Sequence, residues 1–377
     1  MKSKVAVLSC DDYTEEKVYE KIRAGFELLG GAASFFKSDE KILLKPNLVR
    51  GAAVERAVFT HPAVMTAVSR VLYEAGSRNI SVGDSCGFGQ AEKIMQESGM
   101  LDGMKRYGVK TADFSAEEHV QFEAGGRKHE FILSKPVCDA DALISVSKMK
   151  THALEHITGA VKNQYGCICG LHKAQGHTKY PTADSFARML IRLNQCVKPR
   201  LYIMDGITAM EGNGPTSGDP VHMGLILMST DPVAMDSIFA RLVYLNPEYV
   251  PTNVHGENLG LGSWQEENIE IVTEEGVISM EELVKTHGNP NFNVERKRSK
   301  GRGILGNIGF LRVFQKKPYI ESDKCKKCGI CVESCPVEGK AVRFANGRKE
   351  VPVYDYKKCI RCFCCQEMCP HKAIRVR

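Results

Sequence analysis

Long hydrophobic runs are missing from this chain of 377 residues. No apolar stretch approaches the ~18–20 residues that span a bilayer, so no membrane span is expected. No N-terminal leader is visible either. Met1-Lys2-Ser3-Lys4 runs straight into the strand-like Val5-Ala6-Val7-Leu8, which points to the cytoplasm and to reduced thiols rather than disulfides. A G-x-G-x-x-G turn after the first strand is absent. The nearest glycine-bearing turn, Gly83 to Gly89, is too weak a match for a dinucleotide site. Most of the chain also lacks net charge. Residues 318–377 hold 13 Lys and Arg against 7 Asp and Glu, which accounts for the whole formal +6; the rest holds 38 of each sign. No basic stripe is left over as a nucleic-acid footprint. At 43% hydrophobic and 25% charged, the composition is that of ordinary soluble globular material, long enough for a large domain plus a small one.

Cysteine is what the chain has in excess. The tail reads Cys325-x2-Cys328-x2-Cys331-x3-Cys335-Pro336 and then Cys359-x2-Cys362-x2-Cys365-x3-Cys369-Pro370. This is the bacterial ferredoxin run written twice, in which three thiolates hold one cube and the fourth reaches to the neighbouring cube. Cys325, Cys328, Cys331 and Cys369 are thus expected to hold one [4Fe–4S] cluster, and Cys359, Cys362, Cys365 and Cys335 the other. A pair of zinc sites would need neither the third cysteine of each run nor the Cys-Pro. The positive charge of the tail is read as compensating the clusters, which also raises their potentials. Cys364 lies outside the ligand spacing; a packed thiol, an alternative ligand and a tuner beside a cluster are its three readings.

Upstream, strand-like and helix-like segments alternate. Strands are expected at Lys4–Ser9, Lys41–Leu44, Ile80–Val82, Ala142–Val146, Leu201–Met204, Met223–Met228 and Ile269–Val272. Helices are expected at Thr14–Leu29, Pro62–Ala75, Gln90–Ser98, Ser185–Cys196 and Pro232–Leu242. This alternation predicts an α/β fold: a large layered domain with a mostly parallel sheet over residues 1–292, followed by a small α+β ferredoxin-like domain over 318–377. Between them, 293–317 reads as a basic, glycine-punctuated linker, Glu295 to Gly303 being its most charged part.

Polar residues recur just past the expected strand ends, where ligands bind in open α/β sheets. Lys45, Asn47, His61, Asp84, Lys150, His152, Lys162, Asn163, Asp205 and Glu211 are the candidate site residues, with Lys148 beside them. Lysines would hold anionic groups; His61, His152, Asp84 or Glu211 would move protons. Taken singly, several of them also read as caps or turn formers. His152 and His156 are four apart and would share a helix face as a metal pair does, though two ligands do not make a site. Cys167-x-Cys169, framed by Gly166 and Gly170, reads as buried thiols, as a reactive, substrate-facing pair or as a third redox centre.

Several strings together resemble a known family. Lys45-Pro46-Asn47, Thr60-His61-Pro62, Gly83-Asp84-Ser85, Lys148 to His152, Thr158 to Asn163, Asp205-Gly206-Ile207, Glu211 to Pro215, Asp231 to Asp236 and the run Cys359 to Glu367 are similar to domain-of-unknown-function family 362. The resemblance implies an uncharacterised α/β domain, often fused to a ferredoxin module and found mostly in anaerobic bacteria and archaea. It supplies neither a substrate nor catalytic roles.

The fusion itself suggests a local electron acceptor. The first expectation is a reductase: a low-potential electron-donor protein feeds the two clusters, and a small anionic substrate bound at the sheet edge is reduced. The second is a non-enzymatic electron-transfer or cluster-delivery protein whose large domain docks a partner protein. A non-redox enzyme with structural clusters is a third, weaker reading. No flavin motif is evident, although one-electron clusters often meet two-electron chemistry through a flavin.

Overall fold

The computed structural model describes residues 2–87, 89–170, 172–297 and 316–377. Its main sheet has ten strands. In chain order these are β1 (Ser3–Ser9), β2 (Ile42–Pro46), β3 (Ile80–Val82), β4 (Lys110–Thr111), then, after a separate hairpin of β5 (Glu117–Ala124) and β6 (Arg127–Ser134), β7 (Ala142–His152), β8 (His156–Thr158), β9 (Leu201–Glu211), β10 (Asp219–Ser229), β11 (Ile269–Thr273) and β12 (Gly276–Ile278). Across the sheet the order is β12-β11-β1-β10-β9-β7-β2-β3-β4, with β8 folded back on the end of β7. The block β9-β7-β2-β3-β4 is parallel throughout, whereas β10 runs antiparallel to both β1 and β9. The sheet is mixed and mostly parallel, as expected.

Helices cover both faces, which is what the near-continuous apolar runs of β2, β7 and β9 require. Glu15–Leu28 buries Val18, Tyr19, Ile22 and Phe26 at helical spacing, and Pro62–Glu74 packs on the same side with Val64, Val68 and Leu72. On the other face lie Ala183–Val197 and Pro232–Leu242. Their starts are written in the sequence. Thr182 and Ser185 form a reciprocal capping box, and the Asp231 carboxylate accepts from Val233 N and Ala234 N at 2.8 and 2.9 Å.

Three local expectations change. Strands β7 and β9 run on to His152 and Glu211, well past the expected ends at Val146 and Met204, because β9 continues into the long hairpin with β10. Lys148 to His152 are therefore buried strand residues, not loop residues. A register shift against β9 between Lys148 and Lys150 sets Lys148 opposite Asp205 and Lys150 opposite Met210. His152 and His156 do not share a helix: they face each other across the β7–β8 turn, His156 at φ 64°. Of the expected linker, 298–315 lie outside the described residues. Arg296 before them is laid down on the α/β domain by bonds to Val243 O, Pro290 O and Phe292 O at 2.7–3.2 Å.

Candidate functional site

The C-terminal ends of β2, β3 and β7 open onto a cavity of about 530 Å³ with walls from both parts of the chain. The α/β domain contributes Asn47, Asp84, Lys150, Lys162, Asn163, Tyr165, Lys173 and His177; the cysteine-rich tail contributes Cys335, Pro336, Lys340, Cys364, Glu367 and Met368.

The floor is an ordered polar lattice. Lys45, fully buried, pairs with Asp84 at 2.9 Å and donates to Pro46 O. The Asp84 Oδ2 accepts from Leu48 N at 2.7 Å. Thr60 accepts from Asn47 N and donates to Val146 O, fixing Asn47, whose Oδ1 accepts from Lys150 Nζ at 2.6 Å. The Asn163 amide donates to Ser145 Oγ at 2.9 Å. Burial holds the Lys150 ammonium well below the ordinary lysine range, with Lys162 and Lys148 adding repulsion. Burial likewise lowers Lys173 to about 8, while its ammonium donates to Ser85 O and Cys86 O.

Two polar groups in the wall have no partner. Among the described residues, the half-buried Lys162 ammonium makes no hydrogen bond or ion pair, and the buried His177 Nδ1 accepts and donates nothing. Burial pushes His177 down to about 4, Glu367 opposing, so its ring is neutral at pH 7. A buried ring nitrogen without a partner is costly unless a ligand or water meets it.

His152 stands behind the wall. Its Nδ1 accepts from Leu154 N and Glu155 N at 3.2 and 3.1 Å, which leaves the proton on Nε2, and that nitrogen donates to Glu367 at 2.9 Å. Burial also pushes this ring down to about 4. His152 is thus a neutral clamp on Glu367, not a wall residue. Burial works against a charged Glu367, but the charge His152 takes on in the acidic range, that of Lys162 and the His152 hydrogen bond outweigh it and keep the carboxyl below the usual range, at about 2.

The structure separates the remaining candidates. His61 and Asp205 belong to a second buried network, off the cavity: Lys148 Nζ and Tyr13 Oη each donate to Asp205 at 2.8 Å, His61 N donates to it at 2.9 Å, and the His61 ring stacks on Tyr13 at 3.5 Å. The His61 Nδ1 accepts from Ala63 N, so this histidine caps the helix it precedes. Glu211 accepts from Asn293 N at 2.7 Å and also lies off the cavity. Cys167 and Cys169 are buried outside the wall, and burial raises Cys167 to about 12. His156 Nδ1 pairs with Glu295 O.

The string Glu211 to Pro215, whose Glu211 was expected in a site, is chiefly a dock. The Gln366 amide nitrogen reaches Asn213 O, Asn213 Oδ1 and Gly214 O at 2.9–3.0 Å, and Asn213 donates to Ile374 O. Thr216 and Ser217 donate to Glu367 O and Cys369 O. Replacing Gln366 with Ala should strand these buried acceptors and cost about 1–3 kcal/mol, seen as a lower thermal midpoint of the anaerobically purified protein.

Sequence reasoning missed Lys173, His177, Tyr165 and Glu367. A signal existed for the first two in the cation-rich stretch His172-Lys173-Ala174-Gln175-Gly176-His177. Glu367 was hidden inside the cysteine run.

The tail's eight motif cysteines surround two small voids. Cys325, Cys328, Cys331 and Cys369 line one; Cys335, Cys359, Cys362 and Cys365 line the other. Donors already point at sulfur: Lys327 N to Cys325 at 3.4 Å, Ala341 N to Cys335 at 3.3 Å and Tyr354 Oη to Cys365 at 3.2 Å. Such bonds are what cluster sulfurs receive. Among the described residues no three or more His, Cys, Asp or Glu close on a point as a single metal ion would demand; the thiols stand around voids instead. Four thiols per void suit a cube.

The geometry therefore defines an α/β protein whose sheet edge is capped by an iron–sulfur module of the electron-transfer type. The chain belongs to the family described as Domain of unknown function (DUF362), whose model matches residues 42–241. Residues 317–370 match the 4Fe-4S dicluster domain, and the protein carries two [4Fe–4S] clusters. It is 35% identical over 262 residues to the thylakoid-associated protein sll1697 of Synechocystis sp., a match covering 69% of this chain and 81% of that one. Among solved structures, a Thermotoga maritima protein (13% identity, TM-score 0.36) aligns with 59% of this chain and 57% of its own. The lactate racemase apoprotein of Thermoanaerobacterium thermosaccharolyticum (12% identity, TM-score 0.39) aligns with 61% and 55%. The chain spans little more than half the length of either, and neither likeness bears on activity. Among the described residues no helix is long and apolar enough to cross a membrane.

Proposed function

We propose that the protein is a cytoplasmic iron–sulfur reductase acting on a small anionic molecule bound in the cavity between the α/β domain and the dicluster module. One observation carries this reading: a single cavity has Lys150, Lys162, Lys173 and His177 on one side and Cys335, Cys364 and Glu367 on the other. The clusters supply electrons one at a time. A two-electron reduction then draws two electrons from a low-potential donor protein, which is oxidised, and two protons from solvent through groups of the wall.

The residues divide the remaining work. Lys162 and the His177 ring both line the cavity and meet the substrate's anionic group. Lys150 is held by Asn47 and Val58 O, and orders the cavity floor from below. Lys173, with a pKa of about 8, is an acid matched to neutral pH and is the preferred proton donor. Leu48, Val49 and Met368 give the wall its apolar part and limit water. A pure electron carrier has no use for three lysines gathered at a module interface, one of them, the half-buried Lys162, without a partner.

The test is anaerobic. Protein reduced with dithionite is mixed with the small-molecule fraction of a cell extract, and recovery of cluster absorbance is followed. Saturable reoxidation is expected. In Lys162→Gln the concentration giving half the maximal rate should rise by about 10–100-fold, the equivalent of one charge-assisted hydrogen bond. The sign of the pH dependence follows from Lys173: its charge is held below about 8 and lost above it, so reoxidation should decline on the alkaline side, and Lys173→Arg, which keeps its proton, should lower the rate and remove that limb. Reoxidation by protein fractions alone would refute the reductase reading in favour of a carrier.

A further inference from the structure

We propose that the solvent face around Cys325 and Cys328 docks an acidic one-electron carrier protein through Lys326, Lys327, Arg348 and Lys349. This deepens the reductase reading by naming its electron donor, and it rests on that reading for the direction of flow only.

Six of the eight motif cysteines are buried; Cys325 and Cys328 are half-buried. They mark the point where the electron path comes nearest to solvent, while Cys335 reaches the cavity on the substrate side. Cations gather at this outer point. Lys326 and Lys327 line the outer thiol void. The Lys327 ammonium donates to Lys349 O at 2.5 Å, which joins the cysteine loop to the turn 346–349. The Arg348 guanidinium lies against Gly329, 3.0 Å from where a Cβ would stand there. Lys326, Arg348 and Lys349 are exposed.

Two carboxylates share the face. Glu333 is 4.0 Å from Arg348, both side chains being about two-thirds exposed, and Glu350 accepts from Asn346 at 3.4 Å. So exposed a pair adds little energy and leaves both charges in the summed field. With exposed Asp323 counted as well, four cations stand against three carboxylates on this face, so it stays positive locally even though part of the tail's charge offsets the clusters. Val353, following Pro352 of the void's lining, is 45% exposed and is the one large apolar side chain the described module leaves so open. A small apolar contact ringed by charge suits transient redox encounters, which bury little area and rely on electrostatic steering. In each encounter the reduced carrier loses one electron and the oxidised module gains it; no bond changes and no proton moves.

The experiment is anaerobic stopped-flow mixing of oxidised holo protein with reduced flavodoxin, an acidic one-electron carrier, without any substrate, so failure of the cavity reading leaves its outcome untouched. The wild-type second-order rate should fall steeply as salt is added. In the variant Lys326→Glu/Arg348→Glu/Lys349→Glu the low-salt rate should drop by about tenfold or more and lose its salt dependence. Reduction by a zwitterionic viologen should be unchanged. A flavodoxin rate indifferent to both salt and charge reversal overturns the proposal. If the triple variant fails to retain its clusters, Lys326→Gln decides: a shallower salt dependence and a rate lowered by roughly twofold support docking here, and an unchanged rate and slope overturn it.

Discussion

Changing Cys335 to Ser is expected to halve the iron content of the protein and abolish reoxidation by the small-molecule substrate. Cys335 closes the first cysteine run, and the motif's crossover sends this thiolate to the cluster held by Cys359, Cys362 and Cys365. The geometry agrees with that crossover, since these four cysteines line one void. Cys335 also stands in the cavity wall beside Pro336. Its sulfur accepts from Ala341 N at 3.3 Å and its carbonyl from the Lys340 ammonium at 2.6 Å, so the loop is held even when the sulfur is replaced. The variant should fold, keep the outer cluster and still accept electrons from a carrier, yet fail to pass them on. Iron per chain, carrier-dependent bleaching and substrate-dependent recovery of absorbance read the three parts separately. A variant with half the iron and normal substrate turnover would detach the cavity from the electron path.

Gly166→Ala is expected to destabilise the α/β domain strongly. A Cβ at this position would stand 2.0 Å from Asp84 Oδ1 and 2.7 Å from Lys45 Nζ. Those two atoms form an ion pair at 2.9 Å with almost no exposure, 0% for Lys45 and 4% for Asp84. A methyl group there must part the pair or shift the loop that also accepts from Ser85 N. Separating a buried pair leaves charges with no water to turn to, and costs about 3–5 kcal/mol. The loss should appear in the urea midpoint of the anaerobic protein, and it should not add to that of Asp84→Asn, because both act on one pair. Full additivity would mean that the glycine serves something else.

Much of the fold could be read from the sequence because its signals are local. Pro62 at a helix start, Asp231 before Pro232 and the apolar run Ile42–Leu44 each carry their structure within a few residues. The ends of β7 and β9 did not, since a strand end depends on whether a partner continues beside it. His152 and His156 misled for the same reason: i, i+4 spacing speaks of a helix only if the backbone is helical, and here a turn reverses the chain between them. Half of the expected site residues line the cavity, namely Asn47, Asp84, Lys150, Lys162 and Asn163, with Lys45 beneath them and His152 behind Glu367. Asp205 and His61 look the same in sequence, but a buried network turns them inward. Glu367 could not be read as a wall residue at all, because its place depends on how the tail docks on Asn213 and Gly214, a long-range contact with no local mark.

In the proposed reaction a small molecule meets its electrons between the sheet edge and the dicluster module. The most direct test is an anaerobic crystal structure of the oxidised holo protein soaked with the small molecule that reoxidises its reduced form. Ligand density is expected in the cavity, with an anionic group on Lys162 and His177 and its other end toward Cys335 and Cys364. Density at any other place, with this cavity holding only water, would contradict it.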